Sequence, residues 1–270
     1  MSTPKAWRWL PVASLAGALA LLWTPLLALA LASFNATRSG GAWGGATLRW
    51  YRELSENTAV RRALLNTLLL AGVSTLIATA LGTALAVGLE RHPRSGRSAR
   101  WVRAVADLPL IAPDVLFAAA LLIAMQGLRA LSSVFEPGLT LMVLGHVSFQ
   151  LSFVALVVRS RLAALGPSLA EAAHDLYATP AQAFGRVTLP LIAPAIGCGA
   201  VLAFVLSLDD VVVSFFAAGP GSETLPILIY GSMRRGLSPQ MHALSTLVVL
   251  LSAGLVLALE RLTRRSPWGA

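Results

Sequence analysis

Only one cysteine, Cys198, occurs in the 270 residues, so the chain can close no internal disulfide and build no multi-cysteine metal site. Zinc ribbons and CxxC redox motifs are excluded. Lysine is equally scarce, with Lys5 standing alone beside 20 arginines. A Walker A loop needs a lysine on the β/γ-phosphates and a Ser-x-x-Lys hydrolase needs one near its serine, so neither site can be assembled. Charge of either sign is thin: 12% of residues are charged, against about 25% in a soluble domain. The remainder is apolar, with 56% hydrophobic residues, and a soluble enzyme does not fit that balance.

What is present is a series of long runs without charge. A helix needs about 20 apolar residues to cross the roughly 30 Å hydrocarbon layer. Five intervals meet that length: Trp9 to Thr37, Ala63 to Leu89, Pro137 to Val158, Val187 to Leu208 and Gly236 to Leu259. A sixth, Ala104 to Gly127, encloses Asp107, Pro109, Pro113 and Asp114 and is expected to be a kinked span. Val211 to Ser222 is apolar but short, and reads as re-entrant, interfacial or an extension of the fifth span. The first run follows Lys5 and Arg8 and has a cleaved signal segment as its alternative, although it exceeds the 7–15 residues of a signal core. The expected architecture is an all-α integral membrane protein, one transmembrane domain over residues 1–270 with spans near 9–34, 63–89, 104–127, 137–158, 187–208 and 236–259. The positive-inside rule places both termini in the cytoplasm, with 13 basic residues inside and eight outside. The dense group from Arg91 to Arg103 decides the orientation and reads as facing anionic lipid rather than nucleic acid.

The largest cytoplasmic segment in this orientation, 160–190, carries its own pattern. Ser168 and Glu171 are spaced as a Ser-x-x-Glu capping box, with Leu169, Ala172, Ala173 and Leu176 on one face. Thr179, Pro180 and Gln182 spell a second helix start. A short amphipathic helix pair suits docking by a partner protein, and the same pattern suits helices lying on lipid.

These residues resemble a known family. Glu171-Ala172-Ala173, three residues, a turn at Tyr177, nine residues and Val187-Thr188-Leu189-Pro190 are similar to the EAA loop of ABC importer permeases. Ser207-Leu208-Asp209-Asp210-Val211-Val212-Val213-Ser214, Gly219-Pro220, Leu225-Pro226 and Ser238-Pro239 resemble spermidine/putrescine permeases of the PotC type. Ser33-Phe34-Asn35, Trp43, Trp50-Tyr51 and Pro113-Asp114 extend the likeness over about residues 25–260. Three positions depart from it: Tyr177 where the family has Gly, Val187 where it has Ile, and His242 where it usually has Asn. A left-handed turn at Tyr177 would cost roughly 1–2 kcal/mol.

The resemblance implies a type I importer permease that binds no nucleotide and forms half of a membrane path for polyamines. Its partners would be a second related permease, an ATPase dimer holding ATP and Mg, and a periplasmic or lipid-anchored polyamine-binding protein, with Trp43, Trp50 and Tyr51 against the last. An aromatic interface belt is the other reading of those three rings. Glu171, Ala172, Ala173, Asp175, Tyr177, Leu189 and Pro190 would couple the chain to the ATPase, with Glu171 as polar anchor and the alanines allowing close approach.

The substrate class is argued from ionisable groups inside the membrane, which are costly and therefore functional candidates. The spans hold no lysine, and their arginines lie at the ends, whereas Asp114, Asp209 and Asp210 lie in or beside them. At about 1.5 Å per residue Asp114 falls near the midplane of its span. Such acids suit a di- or tri-ammonium solute, with Phe204, Phe215, Phe216 or Tyr230 as cation-π surfaces. Each has a plainer alternative. Asp107 is expected to pair with Arg103; Asp114 would satisfy backbone freed by the kink; one of Asp209 and Asp210 would be structural; His146 and Gln150, four apart, would line the path or bond to neighbouring helices. The same fold carrying an amine-containing phosphonate or a metal chelate, and an intramembrane enzyme using Asp114 with Asp209 or Asp210, are the competing functions. No His-Glu-x-x-His or Gly-x-Ser-x-Gly motif supports the enzyme.

Overall fold

Long apolar runs become long helices, with Pro25, Pro109 and Pro194 inside them and breaks at Pro113 and Asp210. The computed structural model describes residues 10–37, 42–91, 97–166, 168–234 and 238–264. Lys5, Arg8, Trp9, Arg38, Arg94, Pro167, Gly236 and Arg265 lie outside them. Among the described residues the helices are α1 (Leu10–Ser33), α2 (Arg49–Glu56), α3 (Thr58–Arg91), α4 (Arg97–Ile111), α5 (Asp114–Leu128), α6 (Leu139–Leu165), α7 (Ser168–Asp175), α8 (Pro180–Ala183), α9 (Leu189–Asp209), α10 (Val212–Ala217), α11 (Leu225–Met233) and α12 (Pro239–Arg264). Extended pairing among those residues is limited to a single antiparallel bridge between Asn35 and Ala46.

Among the described residues four helical stretches are long and apolar enough to cross a membrane: Pro11–Ser33, Thr58–Glu90, Leu139–Leu165 and Pro180–Asp209. The broken pair α4 and α5 makes a fifth if it counts as one span. The 26-residue α12 overlaps the expected interval Gly236 to Leu259 and is not among these stretches.

The chain divides into two compact units. The first comprises residues 1–60 and 229–255. Its outer loop is held by side chains of the sequence Ser33-Phe34-Asn35. Ser33 Oγ and Tyr51 Oη share a hydrogen bond of 2.7 Å, and the Trp50 indole donates to the Asn35 carbonyl at 2.7 Å. The Asn35 amide spans the loop by donating to the Ala42 carbonyl and accepting from Gly44 N–H, each at 2.9 Å. Trp50 is only 3% exposed, so it is neither a docking surface nor part of an aromatic belt; it is a packing residue with a satisfied indole. Trp43, in contrast, is exposed. Gln240 at the start of α12 donates to Glu53 of α2 at 2.6 Å.

The second unit comprises residues 61–228 and 256–270. Its core lies where α3, α6 and α9 meet, in a cluster of Ala86, Val154, Ala155, Val158, Ile192 and Ala203. Helices in an apolar solvent gain from close packing rather than from apolar burial, so small residues mark the contacts. Gly82 shows it: a Cβ there would lie 2.7 Å from the Leu151 carbonyl and 2.8 Å from Val154 Cβ.

The expected kinked span is built as two helices bent by 119° at a break. Pro113 has no N–H to continue the ladder and pushes the residue before it out of helical geometry. Its own φ of −58° and ψ of 132° end the first helix, and α5 restarts at Asp114. A second break follows α9, where Asp210 is extended (φ −64°, ψ 124°). The segment after it is therefore a separate helix, α10, packed on α5 and α6. The following loop is pinned on both sides. Gly138 N–H donates to the Ala217 carbonyl at 2.9 Å, and the Asn66 amide donates to the carbonyls of Gly221 and Glu223, each at 2.9 Å.

Gly219 has no room for a side chain, because a Cβ would overlap the Pro137 carbonyl. Gly219→Ala is expected to cost about 1–3 kcal/mol, as overpacking against fixed backbone does. The check is a lower thermal unfolding midpoint of the purified chain in detergent.

Candidate functional site

The two helix breaks deliver the acids to one place. Asp114 is the first residue of α5, Asp209 the last of α9, and Asp210 the extended residue after it. All three line one cavity of about 370 Å³, with Phe117 of α5 and Phe149 and Phe153 of α6; Pro109, Leu206 and Val211 to Val213 complete it. Helix N-termini favour negative charge, which suits an acid at the start of α5. Phe117 and Phe149 meet edge to face with centroids 6.5 Å apart.

Asp210 is held by the chain itself. Its Oδ2 accepts from Ser214 N–H at 2.7 Å and its Oδ1 from Val213 N–H at 3.3 Å, closing the open end of α10. The same Oδ2 lies 3.3 Å from His146 Nε2. His146 is fully buried, with Nδ1 2.7 Å from Ser207 Oγ and Nε2 3.0 Å from Ser214 Oγ. The imidazole thus bridges α6 to both sides of the break. Gln150, one turn on, donates to the Ala203 carbonyl of α9 at 3.0 Å.

Other expected site residues lie elsewhere. Phe215 is 56% exposed and stands outside the cavity lining. Tyr230 belongs to the first unit, where Arg234 lies 5.3 Å from its ring centroid. Asp107 pairs with Arg159 at 3.1 Å rather than with Arg103. Arg103 instead donates to the Leu89 carbonyl at 3.2 Å, near the end of α3 where carbonyls lack helical partners.

The 160–190 segment forms the two expected short helices. Thr179 Oγ1 accepts from Gln182 N–H and Gln182 Oε1 accepts from Thr179 N–H at 2.9 Å, a complete capping box. Ser168 is already inside α7, so it begins one residue earlier than a cap at Ser168 requires. Two residues past the end of α7, Tyr177 has a φ of +60°, with Ala178 N–H reaching back to the Ala173 carbonyl at 3.0 Å. That is the Schellman arrangement, which favours glycine at the left-handed position. Tyr177 is 96% exposed, Glu171, Ala172, Asp175 and Leu176 are exposed, and Ala173 is buried by the chain itself. Close approach by another protein is thus open at Ala172 and not at Ala173. A five-residue π turn, Phe184–Thr188, joins α8 to α9, with Leu189 and Pro190 exposed in the first turn of α9.

Sequence reasoning missed Phe117, Phe149 and Phe153 as cavity residues and Ser207 and Ser214 as partners of His146. A signal existed: His146, Phe149, Gln150 and Phe153 recur at i, i+3, i+4 and i+7, one face of α6.

Residues 78–266 match the family described as "Binding-protein-dependent transport system inner membrane component". The chain is 40% identical over 229 residues to the putrescine transport system permease protein PotI of Escherichia coli K12, covering 84% of this chain and 81% of that one. It is 36% identical over 245 residues to the spermidine/putrescine transport system permease protein PotC of the same strain, covering 91% and 90%. In fold it matches a chain of a bacterial ABC transporter importing the acidic polysaccharide alginate, with TM-score 0.77 at 20% identity over 98% of this chain and 100% of that one. A chain of the MetNI methionine ABC transporter matches with TM-score 0.63 at 21% identity, over 75% and 94%.

Replacing Tyr177 with Gly removes the left-handed cost of roughly 1–2 kcal/mol and adds part of it back as chain entropy. Tyr177→Gly is expected to stabilise the end of α7 by about 1 kcal/mol. Slower amide hydrogen exchange at Leu176 and Ala178 is the check.

Proposed function

Because the chain belongs to the binding-protein-dependent transport system inner membrane component family, we propose that it is the permease subunit of an ATP-driven polyamine importer in the bacterial inner membrane, carrying putrescine and spermidine. It is a transport subunit, not an enzyme. The observation that carries the substrate class is the cavity that Asp114, Asp209 and Asp210 line together with three phenylalanines, Phe117, Phe149 and Phe153. A carboxylate 4 Å from an ammonium gains about 4 kcal/mol at an effective dielectric of 20, before desolvation. Aromatic faces add about 0.5–2 kcal/mol for each cation they meet. A flexible chain with an ammonium at each end answers both features, and an anion answers neither.

In this reading six spans run with both termini in the cytoplasm, and a second related permease closes the other side of the path. A periplasmic or lipid-anchored binding protein delivers the polyamine to the outer loops, where Trp43 is exposed. An ATPase dimer, holding ATP and Mg, docks on α7, where Glu171 offers a charge and Leu176 and Tyr177 offer apolar surface. Strain at an exposed Tyr177 is the kind of outlier that binding surfaces retain. Closure of the ATPases then moves α7 and, through the π turn, α9, which carries Asp209 at its far end. Alternating access follows from rocking the helices around the acidic cavity.

The test is uptake of labelled putrescine and spermidine by polyamine-transport-deficient cells expressing the whole importer, with and without this chain. ATP-dependent uptake that disappears with the chain is expected. An assembled complex that hydrolyses ATP and imports neither amine would overturn the substrate class. Glu171→Ala is expected to lower uptake and substrate-stimulated ATP hydrolysis about tenfold, the loss of one charge-assisted contact, with the amount in the membrane unchanged. Undiminished uptake would leave Glu171 a role only in starting α7.

A further inference from the structure

We propose that the adjacent acids have different tasks, with Asp209 and Asp114 facing the ammonium groups while Asp210 and His146 form a buried positioning pair that aims Asp209. This rests on the polyamine-permease reading and deepens it.

The geometry separates two neighbours that look equivalent in the sequence. An ionised carboxylate has about four acceptor sites. Two backbone donors already converge on Asp210, Val213 N–H and Ser214 N–H, and His146 Nε2 lies 3.3 Å from it. Its side chain is 12% exposed. An ammonium seeking Asp210 would have to compete with backbone groups that α10 cannot satisfy otherwise. Asp209 ends α9 on the open side of the break and is exposed toward the cavity. Successive residues of a helix point about 100° apart, so one acid of the pair faces the solute and the other faces the protein.

His146 fixes which is which. Its two nitrogens reach Ser207, before the break, and Ser214, after it. Serine hydroxyls donate or accept, so either neutral tautomer satisfies both contacts. The ring therefore holds α9 and α10 at a set angle, and the direction of the Asp209 carboxylate follows. His146 and Asp210 act through shape and hydrogen bonding, whereas Asp209 acts through charge.

That distinction predicts unequal responses to the isosteric amide. Asparagine keeps one acceptor oxygen for the backbone N–H groups at the helix start, loses the second, and carries no charge. The experiment measures transport of putrescine and of its mono-acetylated derivative by the complete importer, at saturating binding protein, with assembled complex quantified for each variant. Asp209→Asn is expected to lower putrescine transport about tenfold and to lower the ratio of diamine to monoamine, with partial return in Asp209→Glu. Asp210→Asn is expected to lose only about threefold, with the ratio unchanged, whereas Asp210→Ala loses about tenfold. His146→Leu should behave as Asp210→Ala does, His146→Gln should recover transport, and the double variant of His146→Leu with Asp210→Ala should be no worse than either alone.

An Asp210→Asn variant that loses as much as Asp209→Asn, and shifts the ratio likewise, would overturn the assignment. Failure of the parent reading looks different, since the unaltered complex would then carry neither amine. In that case thermal unfolding decides the positioning role: Asp210→Ala and His146→Leu lower the midpoint and Asp209→Ala does not. Equal midpoints for all three would overturn it.

Discussion

A helix that breaks in apolar surroundings exposes backbone donors with nothing to bind, and each must be satisfied from within the protein. The chain breaks twice near one cavity, at Pro113 and at Asp210, and an acid stands at each break. Asp114 sits on the open end of α5, and Asp210 closes the open end of α10 with both carboxylate oxygens. The acidity of the cavity is thus tied to the way its walls are built. Removing the breaks would straighten the helices and remove the reason for the carboxylates together.

α6 is the element against which this arrangement is referenced. Its 27 residues place His146 beneath the second break, Phe149 and Phe153 in the cavity wall, Gln150 on the α9 backbone and Val154 in the small-residue core with α3 and α9. One face of one helix therefore serves packing, polar satisfaction and cavity lining, in successive turns. A change at any of these positions is felt by the others through a rigid rod.

Local patterns were legible in the sequence and long-range partners were not. The helices follow from charge-free runs, and the Thr179–Gln182 capping box forms as its three-residue spacing demands. Asp114, Asp209 and Asp210 could be singled out because acids in apolar runs are expensive, and they converge on one cavity. The errors share a cause. Arg103 is one helical turn from Asp107, yet carbonyls at the end of α3 claim it and Arg159, 52 positions away, takes the acid. Trp50 carries a surface-like polar handle, yet its partner is the carbonyl of Asn35 in a loop, a contact that no spacing announces. The phenylalanines of the cavity were passed over because apolar residues in an apolar run give no contrast. At Tyr177 the residue type argued against a left-handed turn, and the hydrogen bond from Ala178 to Ala173 imposes one.

The π turn before α9 has a mechanical meaning. Five residues from Phe184 to Thr188 are wound more widely than an α-helix, next to a 21-residue helix that ends in Asp209. At about 1.5 Å per residue α9 is a lever of roughly 30 Å, so a tilt of about 10° at its base displaces its tip by about 5 Å. Returning a π turn to α-helical winding rotates everything beyond it by about 100° about the helix axis, one residue step. A small rearrangement at one end of the rod is therefore converted into both a swing and a turn at the other, where a single carboxylate changes the direction in which it looks.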